Sequence, residues 1–220
     1  MGARDNKARA GKLLESPDFD EAGRELSSWR PKDAANALVP HLCNPDSTIR
    51  LRAAAHLGQA VDRLAAEDME SAKDFFRRLI WHLNDESGGI GWGVPEAMAE
   101  ILAANADLAG HFANILVSYI SPGKNQLEHP DLFRQAVWAA ARFARSRPGR
   151  ARAAGAHAAL ALAAESPDPT VRGFAAWGLA RATDPASRRV LQTLQSDPAP
   201  FTFPSTRGGR PATVEGVAAH

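Results

Sequence analysis

Two short stretches concentrate the side chains that chemistry would use. The first is Asn84-Asp-Glu-Ser-Gly-Gly-Ile-Gly-Trp-Gly93, and the second is Ser121-Pro-Gly-Lys-Asn-Gln-Leu-Glu-His-Pro130. Together they offer an amide, carboxylates, an imidazole and an indole: Asn84, Asp85, Glu86, Trp92, Glu128 and His129. Paired carboxylates can exchange protons with a substrate when burial raises one pKa, but a glycine-rich loop seldom buries them that far. Asp85, Glu86, Glu128 and His129 are also of the types that ligate divalent ions. Their spacing demands no ion, and solvated loop carboxylates are the commoner outcome. The glycines Gly88, Gly89, Gly91 and Gly93 do not fit the dinucleotide fingerprint G-x-G-x-x-G, and a Walker loop is absent. No cofactor or metal is therefore expected. The six residues are read instead as contacts for a partner, with a structural alternative in which Trp92 fills a gap and the glycines make a bend.

The remaining reactive types are scattered. No two of the seven histidines stand at i, i+4 on one helix, and no serine or cysteine sits in a recognisable nucleophile turn. Cys43 is the only cysteine, so an intramolecular disulfide is excluded, and it reads as a small core residue. An enzyme centred on Asp85 and Glu86 is the third-ranked reading.

What positions these groups follows from composition and repetition. Alanine and leucine fill 64 of 220 positions, against 16 for valine, isoleucine and tyrosine, which favours helix over any sandwich or barrel. Asp46-Ser-Thr-Ile-Arg-Leu-Arg-Ala-Ala-Ala-His-Leu-Gly58 and Asp168-Pro-Thr-Val-Arg-Gly-Phe-Ala-Ala-Trp-Gly-Leu-Ala180 share aspartate four before arginine, then small residues. Pro130-Asp-Leu-Phe-Arg-Gln-Ala-Val-Trp-Ala-Ala-Ala141 is a third copy. From Arg50 to Arg134 is 84 residues, room for one more repeat of about 42, a length typical of two-helix repeats. That copy starts near residue 93, at Gly93-Val-Pro-Glu-Ala-Met-Ala-Glu-Ile-Leu102, with proline in its first turn.

These copies resemble the HEAT/armadillo-like repeat family over about residues 31–194, through the Asp-x-x-[ST]-[VI]-Arg start and the Ala-Ala-x-x-Leu that follows. The stretch from Asn84 to Met98 also looks like one found in small bacterial HEAT-repeat proteins. The resemblance implies an all-α, right-handed α-solenoid of about four helix pairs. The pairs lie near 31–66, 68–104, 107–146 and 148–182, with capping helices near 18–29 and 185–195. Together these make one repeat domain over 1–196. Residues 197–220 hold four prolines and three glycines and are expected to lack regular structure, with Phe201 and Phe203 pinning their start. In such a stack, the two unusual connectors would stand side by side as one edge.

Function reads less clearly than fold. The leading reading is a non-catalytic protein-binding scaffold using this edge and a curved face carrying Arg52, His56, Gln59, Glu96, Glu100, Gln135 and Arg142. The runner-up is a nucleic-acid binder using the run Arg142, Arg145, Arg147, Arg150 and Arg152, as DNA glycosylases on HEAT-like stacks bind DNA. A net charge of +1 and a run without interleaved aromatic residues weigh against it. The repeating Asp46/Arg50 and Asp168/Arg172 pairs, with Trp138 and Trp177, are expected to serve packing. Residues 1–14 carry five charges, and the uncharged stretch 108–122 is too short for a bilayer. A cytoplasmic, membrane-free protein is the expectation.

Overall fold

The computed structural model describes residues 2–84 and 91–219. The chain packs as two compact units. One holds residues 1–105 with 204–208, and the other holds 106–203 with 209–220.

The first unit begins with α1 (Ala3–Glu15), α2 (Phe19–Ser27) and α3 (Pro31–Leu38), the last continued by a 3₁₀ turn over Val39–Cys43. Then come α4 (Ser47–Glu67), α5 (Met69–Asn84) and α6 (Val94–Ala104). Aspartates set three of the starts: Asp18 caps α2 by accepting from the Glu21 amide, Asp46 caps α4 by accepting from Thr48, and Asp68 caps α5 by accepting from Glu70 and Ser71. Helix α1 was not foreseen as part of the stack. Its charges hide an i, i+4 apolar pair, Ala10 and Leu14, both fully buried, and Arg9 forms an ion pair with Glu25 on α2. Cys43 is exposed, not core, because the 3₁₀ turn rotates it outward after buried Leu42.

The second unit contains α7 (Ala106–Ser118), α8 (Pro130–Ser146), α9 (Pro148–Ala153), α10 (Ala156–Ala163), α11 (Pro169–Leu179) and α12 (Pro185–Leu194). The first half of the pair expected near 148–182 is split into two helices, α9 and α10, because Gly155 takes φ +81° between them. Helix pairs α3/α4 and α5/α6 in the first unit, and α7/α8 and α10/α11 in the second, are the expected hairpins. Second helices pack on second helices within each unit, α4 on α6 and α8 on α11. Their facing sides are rich in alanine, as Ala53, Ala54, Ala97 and Ala99 or Ala136, Ala140, Ala175 and Ala176, all at 0% exposure. Side chains this small let helix axes approach closely while leaving no cavity. The described residues form an all-α fold of repeated helical hairpins, joined by one short β-hairpin.

The tail departs from expectation. Strands β1 (Pro200–Phe203) and β2 (Arg210–Thr213) form an antiparallel hairpin, followed by the short helix α13 (Val214–Ala218). The alternation Phe201, Thr202, Phe203 drives this, since a strand puts both phenylalanines on one side. Both are buried, packed edge-on against Phe174 of α11 at 5.9 and 5.7 Å between ring centroids. Gly173 receives Phe201: a Cβ there would collide with the ring. Arg172 locks the entry by donating to the Asp197 carboxylate at 2.6 Å. Phe201→Ala should therefore lower stability by about 3 kcal/mol, read as a shift in the urea midpoint at unchanged slope.

Candidate functional site

The predicted contact residues divide between the two units. Asn84 is the exposed last residue of α5. Asp85 and Glu86 lie outside the described residues. Trp92 is half-buried in the turn entering α6, and Gly93 caps that helix at φ +69°. A Cβ on Gly93 would strike the Leu42 carbonyl and the Arg50 side chain. The glycine is thus required twice over, by its backbone angle and by close approach. In the second unit Glu128 is exposed, while His129 caps α8 with its Nδ1 accepting from the Asp131 amide at 3.3 Å. The connector before them is held by its own hydrogen bonds, from the Leu127 amide to the Tyr119 carbonyl and from Asn125 to the Ser118 hydroxyl.

Beside Gly93 lies a charge pair that sequence reasoning assigned differently. Arg50 donates to the Asn44 carbonyl at 3.0 Å, and its Nε lies 3.5 Å from Oε1 of Glu96. It does not pair with Asp46, whose carboxylate is spent on its helix cap. Glu96 is only 3% exposed, so it does not belong to a solvent-facing polar strip, and neither do buried His56 and Gln135. Burial pushes the Glu96 carboxyl up to about 7 against the pull of the Arg50 guanidinium. Among the described residues its Oε2 accepts no hydrogen bond. His56, stacked on Phe19 at 4.3 Å, is driven down to about 4, chiefly by burial and further by Arg52, with Gln59 and Asp20 opposing.

The arginines of the second unit fall into two kinds. Arg134 and Arg172 are neutralised: Arg134 meets Asp131 and Asp168, each at 2.5 Å, and Arg172 meets Asp197. Arg142 and Arg145 of α8 are placed with Arg181, which follows α11. Arg145 sits with its guanidinium carbon 5.2 Å from the centre of the Trp177 ring and donates to the Trp177 carbonyl at 3.0 Å. Burial and the neighbouring Arg181 and Arg142 charges hold its pKa below the ordinary arginine value. Trp177 stacks on buried Trp138 at 6.1 Å and meets Phe203 edge-on at 5.1 Å, while Arg210 lies over Phe203 at 5.2 Å. Arg150 belongs to α9 and points to Gly110 of α7, so the linear run 142–152 is not one patch. Helical spacing would have exposed the true grouping, since Trp138, Arg142 and Arg145 share a face, as do Trp177 and Arg181.

Whole-chain charge concealed the same feature. The second unit carries twelve Lys and Arg against eight Asp and Glu, a net +4, while the first carries fourteen against seventeen, a net −3. Among the described residues no cluster of three or more His, Cys, Asp or Glu side chains is placed to hold a metal ion. No helix there is long and apolar enough to cross a membrane.

Comparison with known proteins adds little beyond these observations. No family model matches the chain. An uncharacterised protein of Archaeoglobus fulgidus is 39% identical over 83 residues, 38% of this chain and 42% of that protein, so the match spans about two fifths of the relative. Among solved structures, an engineered protein aligns over 89% of this chain and 90% of its own at 22% identity and a TM-score of 0.49. Computationally designed armadillo repeat proteins for modular peptide recognition align over 96% of both chains at 19% identity and a TM-score of 0.48. A designed armadillo repeat protein in complex with the peptide (KR)4 aligns over 86% and 91%, at 19% and 0.47.

The Glu96 carboxyl gives a pH test. Between about 4.5, its unfolded value, and about 7, the folded state keeps a proton that the unfolded state has released, so stability falls as pH rises. Urea denaturation should show wild type losing on the order of 1–3 kcal/mol more than Glu96→Gln from pH 5 to pH 8. The opposite-signed contribution of His56 is common to both proteins and cancels in the difference.

Proposed function

We propose that this chain is a non-catalytic protein-binding scaffold that receives a partner segment on the second helices of its repeats. One observation carries the proposal. On α8 and α11 the fold consumes one set of polar side chains, Arg134, Asp168 and Arg172, in ties between neighbouring elements. It leaves a second set, Arg145 and Arg181, without an ion-pair partner among the described residues, with Arg145 held over half-buried Trp177 and bonded to its carbonyl. Ordered aromatic and arginine side chains are what partner surfaces are built from, since they lose little freedom on binding. Exposed Asn84 in the first unit and Glu128 in the second are secondary candidate contacts. Trp92 and His129 fit the proposal less well, because one lines the entry to α6 and the other caps α8.

A library of unstructured peptides applied to the immobilised full-length chain tests this reading. Capture of at least one peptide class is expected, weakened at least tenfold by Trp177→Ala, with the urea midpoint recorded alongside to separate lost contact from lost fold. Absence of capture across the library would refute the scaffold function.

A further inference from the structure

The arginine face of the second unit has a chemistry that identifies the kind of partner it takes. Arg145 lies over Trp177 and Arg210 over Phe203, the two rings meeting edge-on, and Arg181 and Arg142 both lie close enough to Arg145 to oppose its charge. Among the described residues no carboxylate pairs with Arg145, Arg181 or Arg210. The unit does not lack carboxylates. Asp131, Asp168 and Asp197 are committed to Arg134 and Arg172, and Asp184 caps α12 while facing His157. These carboxylates thus serve Arg134, Arg172 and the start of α12 and leave Arg145, Arg181 and Arg210 without an ion pair among the described residues.

The guanidinium of Arg145 is already oriented. Its stack on Trp177 and its bond to the Trp177 carbonyl fix the plane, and that bond takes one of five N–H donors. A fixed planar fork matches a carboxylate, which accepts two parallel N–H bonds. Single-stranded nucleic acid fits less well, because it needs open π-faces for its bases. Here Trp138 is 6% exposed and Phe203 6%. Trp177 is stacked by Trp138 and covered by Arg145, and Arg210 lies over Phe203.

We infer that the face formed by Arg145, Arg181 and Arg210 around Trp177 and Phe203 binds an acidic peptide segment, its Asp or Glu carboxylates seated on the guanidinium groups. The inference rests on the scaffold reading and names that scaffold's ligand class. The test uses the full-length protein and fluorescence anisotropy with labelled deca-glutamate, deca-lysine, a neutral glycine-serine peptide, and an oligothymidylate and a DNA duplex of matched charge. Deca-glutamate should bind, more weakly as salt is raised, and the double substitution Arg145→Gln and Arg181→Gln should weaken it at least tenfold at an unchanged urea midpoint. Arg188→Gln with Arg189→Gln, two exposed arginines of α12 outside the face, should leave binding within twofold of wild type.

Equal losses in both double variants would reduce the effect to non-specific charge and overturn the inference. So would oligothymidylate or duplex binding tighter than deca-glutamate, or no binding of deca-glutamate at all. If the neutral or basic peptide binds while deca-glutamate does not, the acidic-ligand inference falls and the scaffold reading stands. If no peptide of any composition binds, both fall.

Discussion

Three of the four repeats hand an arginine to an acid outside themselves, and the placement of everything else follows from where those arginines end. Arg50 reaches Glu96, Arg134 reaches Asp168, and Arg172 reaches Asp197. Arg50 and Arg172, 17% and 19% exposed, are held mostly out of water and need a partner, because an unpaired buried charge costs several kcal/mol. Arg134, at 41%, stays partly in water. The three acids come from different structural settings. Asp168 is a helix cap that serves both Thr170 and Arg134, Asp197 stands in the tail, and Glu96 lies one turn inside α6. Glu96 explains the irregular second repeat. That helix opens on Gly93 rather than on a capping aspartate, so its acid arrives three residues later and deeper, where it is fully desolvated. The left-handed glycine is what lets Arg50 pass close enough to meet it.

The tail completes the same scheme. Asp197 gives Arg172 the acid that a following repeat would have supplied, and the Phe201–Phe203 hairpin covers the apolar side of α11. Terminal repeats need such covering, because a helical hairpin cannot bury its own apolar face. A two-stranded hairpin is marginal on its own, and this one holds because its two aromatic rings are anchored on Phe174 and Trp177.

The sequence shows helices and their period clearly, because proline and aspartate starts and the alanine-rich centres are local signals. What it hides are facts set by distant neighbours. The partner of Arg50 lies 46 positions away on another helix, so the nearer Asp46 looks the better choice. Four prolines and three glycines between 197 and 220 mask a two-residue aromatic alternation that matters only once Gly173 provides room for a ring. The arginines between 142 and 152 look like one run because spacing along the chain ignores the break at Pro148. Trp177 looks like core until Arg145 is found lying over it. Net charge misleads for the same reason, since the +4 of one unit is nearly cancelled by the −3 of the other.

A cluster of like charges in which Arg145 and Arg181 have no ion-pair partner among the described residues must still be tolerated by the folded chain. Arg145 occupies the last turn of α8, and Arg181 follows the end of α11, where the partial negative charge of each helix terminus favours a cation by about 0.3–1 kcal/mol. Arg181 is exposed, so solvent screens its repulsion with Arg145, and helix termini help to hold these arginines together without an internal carboxylate. Had an aspartate been supplied instead, the site would be filled by the protein itself. Leaving the charges balanced only by helix ends keeps an oriented guanidinium available, and the aromatic rings beneath it set its direction before any ligand arrives.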